Sequence, residues 1–260
     1  MKIALQLYTV RNDAQRDLAG TLRKVWAAGY SAVEAARIPF NERSAGIFLR
    51  AREDFGLQVC SCQVKFHDLR DDFIQLSGWM HRTKCDSAVV SVLPWEVLLR
   101  GRSADLEWFC TELNALGKRY RNEGIRLAYH HHHMEFLQFG ARRGMEILLA
   151  NLDPASVAFV SDTYWAQRAG INPAELLARM DGRLLGIHLR DITTRRRGPL
   201  IYASDCSVGS GLLNIRAVWE QAEKSGAEYA AVEQNSRAPF ADIASSFRAL
   251  ARMPRRDQAN

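Results

Sequence analysis

Eight short apolar runs recur along the chain, and stretches with helical periodicity lie between them. The runs cover residues 3–7, 31–35, 58–64, 87–92, 125–130, 157–161, 184–189 and 229–233. Most are built from Val, Ile, Leu and Ala without strict polar alternation, as a strand covered on both faces requires. Residues 18–28 carry apolar Leu18, Leu22, Val25 and Trp26, and residues 106–121 carry Leu106, Phe109, Leu113 and Leu116. Residues 173–180 open with Pro173 behind Asn172, a proline at the first helical position after a capping side chain. Consecutive parallel strands need such crossover helices. Eight alternations predict an α/β chain folded as a single (β/α)8 TIM barrel, with a doubly wound open sheet as the competing architecture.

Composition fits this reading. The 260 residues are 47% apolar, enough for one large core. No stretch approaches eighteen apolar residues, so no membrane span is expected. The opening MKIALQLYTVRNDAQRD turns charged too soon for a signal peptide and reads as a first strand. Residues 1–253 are expected to form the barrel and 254–260 a polar tail. Five cysteines, at 60, 62, 85, 110 and 206, match no zinc-ribbon or CxxC spacing and suit reduced thiols in a cytoplasmic protein. The net charge of +6 gathers at Arg195–Arg197, at Arg142–Arg143 and in residues 252–256. Without interleaved aromatics or a helix-turn-helix signature, these clusters read as solvated surface, or more weakly as attraction for anionic small molecules. Nucleic-acid and membrane partners are not expected.

The chemistry gathers where late strands end. The fifth runs IRLAY into HHHHME, the sixth VAFVS into Asp162, the seventh contains His188 in LGIHLRD, and the eighth runs YAAV into Glu233. In a barrel these ends converge on one mouth. Imidazole with carboxylates suits a divalent ion such as Mn, Co, Mg or Zn. Singly, Asp162 could cap a turn, His188 could be a hydrogen-bonded core residue and Glu233 could pair with an arginine. Together, charged groups directly after apolar strands are costly unless paired or coordinated. The longest irregular stretch, 191–212, follows the seventh strand, where barrel loops usually carry function.

These motifs resemble the sugar phosphate isomerase/epimerase superfamily, the xylose isomerase-like TIM barrels. IALQLYTVRND is similar to that family's first strand and loop, GYSAVEAARI to its second-strand motif, and LAYHHHHMEF to the subgroup motif YHNHxxEF. SDTYWAQRAGINP, GIHLRD, VGSGLLN and AAVEQN resemble its sixth-strand, seventh-strand, loop and eighth-strand motifs. The resemblance implies one divalent metal held by an acidic residue at strand five together with Asp162, His188 and Glu233. The strand-end position of many relatives' glutamate is His130 here, and the nearest carboxylate is Glu135 in the next loop, so either could be the fifth-strand ligand. It further implies Glu233 as both ligand and base, with Glu135 or His130 as the second acid/base.

Strand alternation sends His130 and His132 one way and Tyr129 and His131 the other. His132, Trp165, His67, Arg190 and Glu34 are candidate substrate contacts, with a position behind a ligand as the rival role for Glu34. Gln6 would lie at the first strand's end, and Trp95 and Phe136 are further candidate walls. The implied activity is proton abstraction next to a carbonyl of a keto-sugar or polyol through an enediolate, giving isomerisation or epimerisation. The alternative is dehydration, as in the related inosose dehydratases. An endonuclease IV-like reading is weakened because strands three and four end in QVKF and SVLP without extra metal ligands. A non-catalytic sugar-binding relative is a third reading. A homo-oligomer is suggested by analogy alone.

Overall fold

The computed structural model describes residues 1–253; the tail expected at 254–260 lies outside the described residues. In chain order the strands are β1 (Lys2–Gln6), β2 (Ala32–Ala35), β3 (Gln58–Val64), β4 (Ser87–Val90) and β5 (Arg126–His130). Then come the short pair β6 (Gln138–Phe139) and β7 (Arg142–Arg143), followed by β8 (Val157–Asp162) and β9 (Leu184–Leu189). They end with β10 (Asp191–Arg197), β11 (Leu200–Cys206) and β12 (Tyr229–Val232). Eight of them close in the order β1-β12-β9-β8-β5-β4-β3-β2, every neighbour parallel. These are the eight runs expected from the sequence, closed into a barrel rather than opened as a sheet.

The helices form for the reasons their sequences suggest. Asn172 accepts a hydrogen bond from the Ala174 amide and starts helix Pro173–Ala178. Helix Ser103–Asn122 buries Leu106, Phe109, Leu113 and Leu116 on one stripe. One expectation fails: residues 191–212 are not all irregular. The antiparallel hairpin β10–β11 fills most of the segment, with Asp191 opposite Cys206 and Arg197 opposite Leu200. Gly198, at φ 60, is the first of two turn residues, as a tight hairpin favours. Arg195 to Ile201 are exposed, so no buried face stamps a hydrophobic alternation on this part of the sequence.

Two layers organise the barrel. Outward-facing strand residues such as Leu5, Ile187 and Val232 join the large core under the helices. Inside, a separate cluster contains Ala4, Ala32, Val89, Ala128, Val160, Leu185, Tyr229 and Ala231. Two residues beyond a member of that cluster, strands deliver a polar side chain: Gln6 after Ala4, Glu34 after Ala32, His130 after Ala128. Asp162 likewise follows Val160, and Glu233 follows Ala231. The period of two carries each of these side chains to the same interior face, one layer nearer the C-terminal mouth.

Candidate active site and metal centre

His130, Asp162, His188 and Glu233 are all buried, and one ligand atom from each lies within 4.8 Å of the others. Backbone register accounts for this: Asp162 pairs with His188 across β8 and β9, and Ala231 pairs with His188 across β12 and β9. The tautomers are prepared by second partners. His188 donates its Nε2 hydrogen to Glu34 Oε1 at 2.7 Å. Its buried Nδ1 lies 3.1 Å from Glu233 Oε2. His130 donates from Nδ1 to the His131 carbonyl at 2.9 Å, which leaves Nε2 turned toward Asp162 Oδ2 at 3.9 Å. Asp162 caps helix Thr163–Arg168 by accepting from the Trp165 amide through Oδ1, while Oδ2 faces the cluster. Two inward-turned imidazole nitrogens and two carboxylates, converging in a buried layer, fit a divalent first-row ion once His188 gives up its proton.

Burial and the charges packed against one another set the electrostatics of the cluster. Burial opposes a charge on His188, yet Glu34 and Glu233 hold its imidazole up to about 10. Burial, against the pull of Arg190, pushes the Asp162 carboxyl up to about 6. Burial also opposes the charge on Glu233, but Arg190 and His188 bring its carboxyl down to about 2. Burial, reinforced by His188, drives His130 well below its ordinary value. Burial brings His131 to about 3 and His132 to about 4, so both rings are neutral at physiological pH.

The histidine run divides as alternation suggests. The rings of His130 and His132 stack with centroids 4.6 Å apart, and both line the main cavity. His131 faces away. Its Nε2 accepts from the Asp162 amide at 3.2 Å and from the Ser161 hydroxyl at 3.0 Å. His133 is exposed beside Trp165.

Several of the expected residues are not brought to the cluster or the cavity. Glu135 stays out of the metal cluster: its carboxylate accepts from the Tyr129 hydroxyl and from the His132 amide, which pins the loop after β5. Glu34 does not reach the cavity. It is buried behind His188 and also accepts from Ser61 Oγ at 2.6 Å and the Tyr229 hydroxyl at 3.1 Å. His67 turns outward to Glu96, 3.1 Å away, and does not line the cavity. Trp95 is exposed on the surface, and Phe136 packs on His131.

Arg190 is brought to the centre. Its guanidinium donates to Asp205 Oδ1 at 3.1 and 2.8 Å and to Glu233 Oε1 at 3.0 Å. Asp205, on the unforeseen hairpin, was not legible as a site residue. The remaining cavity, about 400 Å³, is walled by Trp165, Gln6, Tyr8, Arg37, Gln63 and Lys65, with Asn235 also at its wall. That volume lies toward the small end of ligand pockets, which run roughly 300–1,000 Å³.

No protein-family model matches the chain. An inosose dehydratase from Mesomycoplasma hyopneumoniae strain J is 36% identical over 204 residues, covering 70% of this chain and 66% of that one. The match to the inosose dehydratase of Lacticaseibacillus casei, 27% identical over 135 residues, spans less than half of either protein, at 47% of this chain and 45% of the relative. A sugar phosphate isomerase/epimerase from Parabacteroides distasonis superposes with a TM-score of 0.82 at 21% identity, over 98% of this chain and 99% of that structure. A xylose isomerase-like TIM barrel protein from Mycobacterium smegmatis, in complex with magnesium, gives 0.73 at 14% identity over 96% and 95%. By fold, the chain is a single (β/α)8 TIM barrel, and it superposes on solved sugar phosphate isomerase/epimerase and xylose isomerase-like barrels.

Proposed function

We propose that this chain is a divalent-metal-dependent enzyme that removes a proton beside the ketone of a small keto-polyol or keto-sugar and then expels a hydroxyl as water. The observation that carries the reading is the buried cluster of His130, Asp162, His188 and Glu233 at the floor of a sugar-sized cavity. A bound divalent ion would polarise the ketone and stabilise the enediolate charge. Glu34 holds the His188 ring so that Nδ1 is the nitrogen turned to the ion, and His131 fixes the backbone that presents Asp162. Trp165 and Tyr8 flank the space for the ring of a substrate.

Proton transfer falls to His132. It is neutral, lines the cavity beside His130, and has a buried Nδ1 with no hydrogen-bond partner. As a neutral base it takes the proton next to the carbonyl. The resulting imidazolium returns that proton to the departing β-hydroxyl, so one residue balances a net loss of water. Two carboxylates working from opposite faces would need the fifth strand to offer one, and Glu135 is sealed under Tyr129. The dehydratases among the relatives support the same outcome. Isomerisation or epimerisation is the second reading, supported by the fold shared with a sugar phosphate isomerase/epimerase. Both start with the same proton abstraction and differ in whether a hydroxyl leaves.

The test is incubation of the metal-loaded protein with an inosose in deuterium oxide. Loss of one water from the inosose, with the hydrogen beside the ketone gone from the product, supports dehydration. Deuterium with an inverted or shifted carbonyl and no loss of water supports the second reading. A metal-loaded protein that gives neither exchange nor loss of water would remove both. His132→Ala is expected to keep its metal and lose exchange.

A further inference from the structure

Arg37 has a backbone conformation that its residue type disfavours. Its φ is 58, the left-handed region where a side chain crowds the following carbonyl and glycine is at ease. Among the described residues one other non-glycine shares this feature, Lys84, at φ 56. Lys84 has a structural reason, since it terminates helix Phe73–Thr83. Arg37 ends no helix. It lies two residues beyond the end of β2, at the rim of the cavity, where its guanidinium carbon lies 5.8 Å from the Tyr8 ring centroid. A conformation kept at a cost beside a ligand cavity points to the side chain as what is being kept.

Lys65, directly after β3, lines the same cavity. Both side chains are exposed, and among the described residues neither is ion-paired. The third cation of the cavity is different: Arg190 is already engaged by Asp205, Glu233 and Asp162. Asp68 is the carboxylate that shares this wall with Arg37 and Lys65. Two free cations and one anion leave a single unmatched positive charge on the side formed by β2 and β3, away from the cluster on β5, β8, β9 and β12.

We propose that Arg37 and Lys65 bind a carboxylate carried by the substrate, so that the site prefers a keto-sugar acid over its neutral counterpart. This rests on the reading of the cavity as a keto-sugar site and adds the class of substrate. A monoanion matches the one unmatched charge, whereas a phosphate dianion would leave a charge uncompensated beside Asp68. The acid group anchors one end of the substrate and leaves its ketone to face His130 and His132.

The experiment compares D-fructuronate, D-fructose and D-fructose 6-phosphate by calorimetric titration of the full chain, with and without added manganese. Fructuronate is expected to bind about tenfold tighter than fructose, as two partly screened ion pairs allow, and the difference is expected to shrink in high salt. Arg37→Gly should erase most of that preference without lowering metal content or the melting temperature, because glycine accepts the same φ freely. Equal affinities, tighter binding of the phosphate, or a preference that survives Arg37→Gly would each overturn the assignment. The titration without manganese reads the acid preference on its own. A protein that takes up no metal therefore fails the proposed chemistry, while a metal-loaded protein without the preference fails this inference alone.

Discussion

At the residue scale, the cluster depends on how its imidazoles are held. Glu34 is the acceptor that fixes the His188 ring, so Glu34→Gln should weaken metal affinity about 10–100-fold with the four ligands intact, measured by competition with a chelating dye. Affinity should also follow pH in a stated direction. Metal-free His188 keeps its proton up to about 10, and the ion needs the neutral ring, so binding expels a proton at neutral pH. Affinity should therefore rise as pH rises toward 10. It should fall more steeply below about 6, where Asp162 also gains a proton. Calorimetry in buffers of different ionisation enthalpy reads this release directly. Asp162, His188 and Glu233 were visible in sequence because each closes or interrupts an apolar strand. The choice between His130 and Glu135 was not, because both flank the same loop and a loop's path is set by contacts such as Tyr129 to Glu135.

At the scale of elements, one strand position links packing to the site. Gly186 on β9 leaves room for Tyr229 of β12, and a Cβ there would meet the Tyr229 ring at 2.7 Å. Tyr229 in turn holds Glu34. Gly186→Ala should cost about 1–3 kcal/mol by overpacking and should also lower metal affinity, because the displaced ring disturbs Glu34 and then His188. Chemical denaturation beside a metal titration checks both halves. The loop after β11 has a different anchor. Asp191 accepts from the amides of Ile192, Gly209, Gly211 and Leu213. Asp191→Ala strands those amides, with an expected loss of about 1–3 kcal/mol and faster hydrogen exchange across residues 207–213. The barrel strands were legible because burial on both faces writes long apolar runs. The β10–β11 hairpin was not, since its exposed tip carries no such imprint, and Asp205 was missed with it.

At the scale of the whole molecule, closure of eight strands gathers residues from 34 to 233 into one layer, so the site and the fold share their supports. An ion bound only by the folded state adds stability: at a free concentration a hundred times its Kd, about 2.7 kcal/mol. For a domain of this size that is a rise in Tm of about 5–10 °C, which a chelator should reverse. The central claim is that His130, Asp162, His188 and Glu233 hold one divalent ion. Its most direct test is the metal content of the purified protein, reloaded with manganese, beside that of an Asp162→Ala, Glu233→Ala double variant. One equivalent in the parent, lost from a variant that remains folded, is the result predicted here. A parent that takes up no ion, or a variant that holds it as tightly, would contradict it.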